Sequence, residues 1–74
     1  MLRLRTGPEA LDGLEGPAMA TVKFSTFVDH WVVVRKLEGE RVVVGDPLRG
    51  VVRLTRAEFR QRWRGALLSA PLAE

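Results

Sequence analysis

The stretch "FVDHWVVVRKLEGERVVVGDP", residues 27–47, decides how this chain folds. Trp31 and the three valines after it form a β-branched and aromatic run, which predicts a strand over residues 28–37 buried on both faces. "EGE" supplies a tight turn in which Gly39 can take a positive φ, and residues 41–46 return as a second antiparallel strand. The hairpin opens near the chain's single histidine, His30, and closes at Asp46. With the turn at Gly39, the two lie at the same end of the hairpin, offset by about two residues or roughly 7 Å along the strands. A carboxylate that reaches an imidazole is what a general base needs: it fixes the tautomer through one ring nitrogen and leaves the other free to activate a nucleophile. Two plainer readings stay open on spacing alone. The residues could form an ordinary surface pair, and Asp46, just ahead of Pro47, could cap the turn by accepting a backbone N–H.

Outward from this hairpin, "LRLR" at residues 2–5 alternates as a half-buried strand does. In "TGPEALDGL", Thr6 or Gly7 can cap, Pro8 suits a first turn, Glu9 sits well at a helix start and Gly13 ends it, so a short helix of one to two turns is expected. Residues 18–22 read as a short buried strand and "KFSTF", residues 23–27, as the connection to the main strand. After the turn "PLRG", residues 51–54 form a further strand. Thr55 with Glu58 three positions on is a capping box, opening a helix through about Trp63 with Phe59 and Trp63 on one face; Gly65 ends it. Residues 66–70 are a last strand and 71–74 a frayed tail. The fold class is therefore α+β: an antiparallel sheet of about four to six short strands with one covering helix, in a single domain over residues 1–74. The expected core is Val32, Val34, Val42, Val44, Leu54, Phe59, Trp63 and Leu67.

Composition narrows the chemistry. With 74 residues the chain makes one small domain, and 46% hydrophobic against 28% charged residues is the balance of a globular protein. Having no cysteine, it carries no disulfide, thiolate metal site or thiol nucleophile, and neither metal nor cofactor is expected. No apolar segment suggests a membrane span or a secretion signal, so a cytoplasmic location, free or at the inner membrane face, is expected. The net charge of +3 gathers late, in Arg49, Arg53, Arg56, Arg60, Arg62 and Arg64 against Glu58 alone. A solvated helix face explains that cluster more simply than a nucleic-acid patch, and the chain has few aromatics and no motif for reading bases.

"HWVVV", the hairpin, and "VVVGDPLRGVVRLTRAEFRQRWRGALL" together resemble the C-terminal half of the bacteriocin-processing cysteine peptidases, family thirty-nine of that class, whose papain-like domains precede many bacterial ABC exporters. That family has a His opening an H-[FW]-V-V strand, an Asp in a "DP" at the end of the next strand and an E-F…W helix, positions met here by His30, Asp46, Pro47, Glu58, Phe59 and Trp63. "PAM", Pro17 to Met19, is similar to the family's "PAI"-type strand. The resemblance implies the β half of a papain-like fold, His30 as base, Asp46 as its orienter, and cleavage after a double-glycine leader. It also implies an N-terminal helical half with the nucleophilic Cys and the Gln that helps bind the oxyanion, neither of which this sequence contains. Ser25, Thr26 and Ser69 have no motif that would let them substitute, so by itself the chain is expected not to cleave peptides. Expected partners are a leader peptide, a Cys-bearing half or a second copy of the chain, and a membrane exporter. The alternatives are a non-catalytic peptidase-like module that binds an exporter substrate and, ranked last, a basic nucleic-acid-binding domain.

Overall fold

A computed structural model describes residues 2–25 and 28–69. In chain order it contains β1 (Arg3–Thr6), a short 3-10 turn (Pro8–Ala10), β2 (Ala18–Lys23), β3 (Asp29–Glu38), β4 (Arg41–Asp46), β5 (Gly50–Thr55), α1 (Arg56–Arg62) and β6 (Trp63–Ser69). The strands form one six-stranded antiparallel sheet in the order β1-β6-β2-β3-β4-β5. This is the expected α+β class, with β3 inside the sheet. The tail at 71–74, the last residue of the expected final strand, and Thr26 with Phe27 lie outside the described residues.

One face of the sheet carries the core. Ala18, Ala20, Val22, Val32, Val34, Val42, Val44 and Leu67 bury there, with Phe59 from α1, Trp63 at the start of β6 and Leu11 from the segment after the 3-10 turn packed over them. Seven of the eight expected core residues are buried, and Leu54 is partly so. α1 starts where the capping box requires: the Glu58 amide donates to Thr55 Oγ1 at 3.1 Å and the Thr55 amide donates to Glu58 Oε1 at 2.8 Å. The two arginines facing the 3-10 segment, Arg56 and Arg60, each reach Asp12 Oδ1 at 2.7 Å and tie the helix to it.

Three expectations are corrected. β3 is buried on one face only, because α1 and the 3-10 segment cover a single side of the sheet; Trp31 is 50% exposed and Val33 40%. On the uncovered side directly paired residues make a row across every strand, Leu4, Leu68, Met19, Val33, Gly45 and Val51, interrupted only by the glycine. Val43 is buried on that face between its cross-strand neighbours Lys36 and Arg53, both of which reach Glu38. Second, Gly65 does not end the helix: α1 stops at Arg62, one residue from the expected Trp63. Trp63 already has extended backbone (φ −72, ψ 139), and its indole Nε1 donates to the Ala66 carbonyl at 2.8 Å. Burying that ring in the core pulls the chain out of the helix, and Gly65 (φ 87) lies inside β6, where its carbonyl accepts the Gly7 amide. Third, the upstream helix is a single 3-10 turn that ends well before Gly13.

Candidate active site

The hairpin predicted around Gly39 forms, with Gly39 at φ 59. Its ladder is not regular, however. Glu38 pairs with Arg41, but the register shifts between Val34 and Lys36, leaving Arg35 as a bulge, and Val33 then pairs with Gly45. Continuing the shifted register sets Asp46 opposite Val32, two positions from His30 on the same face. Without the extra residue Asp46 would lie opposite Val33, on the face of Trp31, and a one-residue slip reverses every side chain. Burial confirms the shift: Val32 and Val34 point into the core before the bulge, Leu37 after it.

His30 Nε2 and Asp46 Oδ2 are 3.5 Å apart, with the side chains 23% and 11% exposed. This is ion-pair distance, at the outer limit for a hydrogen bond, and among the described residues neither ring nitrogen has another partner. The other carboxylate oxygen, Oδ1, accepts the Leu48 amide at 2.8 Å, and the Arg49 amide closes the turn on the Asp46 carbonyl. Asp46 therefore both caps the turn and faces the histidine, two roles that spacing alone could not separate. Held through Oδ1 by the turn, the carboxylate presents Oδ2 to His30. The Leu48 amide, with His30 as a smaller contribution, holds the Asp46 carboxyl below its usual value despite the desolvation that opposes it. A depressed carboxylate stabilises the fold above its unfolded value, near 3.9, and that contribution is lost as pH falls through the lower folded value. Urea midpoints followed from pH 6 down to about pH 2 should fall more steeply for the native chain than for Asp46→Asn; parallel slopes would remove Asp46 from the linkage.

A cleft of about 280 Å³ opens beside the pair, floored by Val22, Val32, Val44 and Phe59 and rimmed by Arg49 and Arg62. The late arginines divide here. Arg56 and Arg60 bind Asp12, Arg53 binds Glu38 and Arg64 binds Asp29. Arg49 and Arg62 are the two of that cluster that border the cleft. A fold-consuming pattern of this kind is unlike a continuous phosphate-binding stripe. The sequence reading did not single out Phe24, whose ring stands edge-on to His30 with centroids 5.0 Å apart and an interplanar angle of 81°. The signal was there once β2 was set against β3: Val22 pairs with His30, and alternation carries residue 24 to the same face.

The sequence model described as the Peptidase C39 family matches residues 2–72. This chain belongs to that family. It is 36% identical over 52 residues to the lactococcin-G-processing and transport ATP-binding protein LagD of Lactococcus lactis subsp. lactis, covering 70% of this chain and 7% of that protein. It is 31% identical over 65 residues to the probable functional amyloid protease FapD of Pseudomonas fluorescens, covering 88% of this chain and 28% of the relative. Its fold matches that of the peptidase domain of Streptococcus mutans ComA, solved with a small-molecule inhibitor, at a TM-score of 0.74 and 23% identity over 95% of this chain. The C39 chain spans 64% of that solved domain. Among its described residues no helix is long and apolar enough to cross a membrane.

Proposed function

We propose that this chain supplies the general base and the orienting carboxylate of a C39 cysteine peptidase, and that the nucleophile comes from a Cys-bearing helical half. The observation that carries the reading is the placement of Asp46 Oδ2 beside His30 Nε2, which leaves Nδ1 as the nitrogen able to exchange a proton with a thiol. In that reaction Nδ1 takes the thiol proton and the thiolate attacks the carbonyl carbon of the scissile peptide. The imidazolium, stabilised by Asp46, then protonates the departing amine, leaving a thioester. His30 next deprotonates a water, which attacks the thioester and returns the free thiol. By analogy with LagD, whose name describes lactococcin-G processing and transport, and with the double-glycine cleavage that the family resemblance implies, the substrate is a leader peptide cleaved at the cytoplasmic face of an exporter. The sequence has no thiol, so the chain by itself is expected to be inactive.

Mixing the chain with a C39 helical half that carries the Cys, and following a double-glycine leader peptide by mass spectrometry, tests this. Cleavage at the Gly-Gly junction that needs both halves supports it. Absence of cleavage with helical halves that bind the chain stoichiometrically would leave the non-catalytic, substrate-binding module, which predicts leader binding unchanged by His30→Ala. The uncovered row of apolar residues with Trp31 gives a partner or a second copy a surface to cover, and sedimentation would show which.

A further inference from the structure

Phe24 takes no part in the proton transfers above, yet it lies against the group that performs them. It follows β2 at the hairpin end, where its own amide and that of Ser25 both donate to the Val28 carbonyl at 2.9 Å, so the backbone that carries it is fixed. The residue is 55% exposed, so burial in the core does not account for its position. What it contacts is the imidazole, edge to face, the arrangement aromatic quadrupoles favour.

An imidazole needs such a neighbour here. Rotation about its terminal torsion is soft and roughly two-fold, and a half-turn exchanges each nitrogen for a carbon. Asp46 opposes that rotation through a contact at 3.5 Å, and among the described residues no hydrogen bond holds Nδ1. Both ring nitrogens are nonetheless shielded from water. Packing must therefore supply the orientation that hydrogen bonding does not.

We propose that Phe24 is a positioning residue: by standing against the His30 ring it keeps Nε2 on Asp46 and so fixes Nδ1 as the nitrogen left to accept a proton. The assignment of a role in catalysis rests on His30 being the base, but the orientation itself does not. An edge-to-face aromatic contact biases an orientation by a factor of about 2 to 12.

The test uses the chain as it is. Ring 15N and 13C shifts of His30, recorded near neutral pH, report the tautomer and ring environment, with the backbone amide spectrum as a control for folding. The native chain should show mainly the Nε2–H form. Phe24→Ala should shift the ratio of the two tautomers by about 2- to 12-fold, and Phe24→Tyr should restore it. In the reassembled peptidase, Phe24→Ala should lower kcat by a similar factor with KM unchanged. Phe24→Leu, which keeps apolar bulk in case alanine perturbs the hairpin, should fall between the two. Native tautomer ratios in both the Ala and the Leu variants would overturn the proposal. A Phe24-dependent ratio in a chain that no helical half makes active would leave the positioning intact and remove the peptidase reading instead.

Discussion

Replacing Phe59 by alanine should remove most of this chain's stability and bring it toward its unfolding midpoint at 25 °C. Among the described residues Phe59 is the largest fully buried side chain, 1% exposed, and it is the residue through which α1 touches the sheet core alongside Trp63, whose ring centroid is 5.8 Å away. Truncating a buried phenylalanine costs about 3–5 kcal/mol, the lost transfer energy plus the cavity left behind. A domain of this size has a total stability near the bottom of the usual range, about 5 kcal/mol. The helix cannot collapse inward to fill the space, because Arg56 and Arg60 are anchored on Asp12 and the capping box fixes its start. Far-UV circular dichroism and urea titration read the result directly. A cooperative transition at the native midpoint would mean that the helix contributes little to the core, contrary to the packing described.

The second large effect is expected at the proton-transfer pair. In the reassembled peptidase, His30→Ala should lower kcat/KM by about 10³-fold or more, since it removes both the base and the acid of the cycle. Asp46→Asn is the sharper variant. Asparagine keeps an oxygen to accept the Leu48 amide, so the turn survives; what disappears is the negative charge beside Nε2. If Asp46 orients the imidazole and stabilises its cation, that change alone should cost about 10²- to 10⁴-fold in kcat at pH 7, alongside the loss of the neutral-pH stability that the ionised carboxylate contributes. If Asp46 only caps the turn, the variant should cleave as the native protein does.

Parts of this architecture were legible because local chemistry specifies them. Gly39 between two β-branched runs makes a hairpin, and Thr55 with Glu58 starts a helix whatever surrounds it. The helix ends one residue before the expected Trp63, but the role of Gly65 was not legible, since the burial of Trp63 extends the chain first and leaves that glycine inside β6. Trp31 was misread for a related reason. Its sequence neighbourhood is as apolar as that of Val32, and only the absence of a second covering layer among the described residues leaves it in water. Phe24 escaped notice because its partner lies on another strand, across a pairing that no local pattern announces.

By itself the sequence determined that an imidazole and a carboxylate come to one end of one hairpin, because strand length and turn position follow from residue type and counting. Which side of the sheet each would face was decided only in three dimensions. Counting from Gly39 puts Asp46 on the side opposite His30, and the bulge at Arg35 reverses it, keeping Val34 and Leu37 both in the core at the expense of one unpaired residue. The side-chain period of a strand is two, so a single inserted residue is invisible to a distance estimate and yet determines whether the two groups can meet.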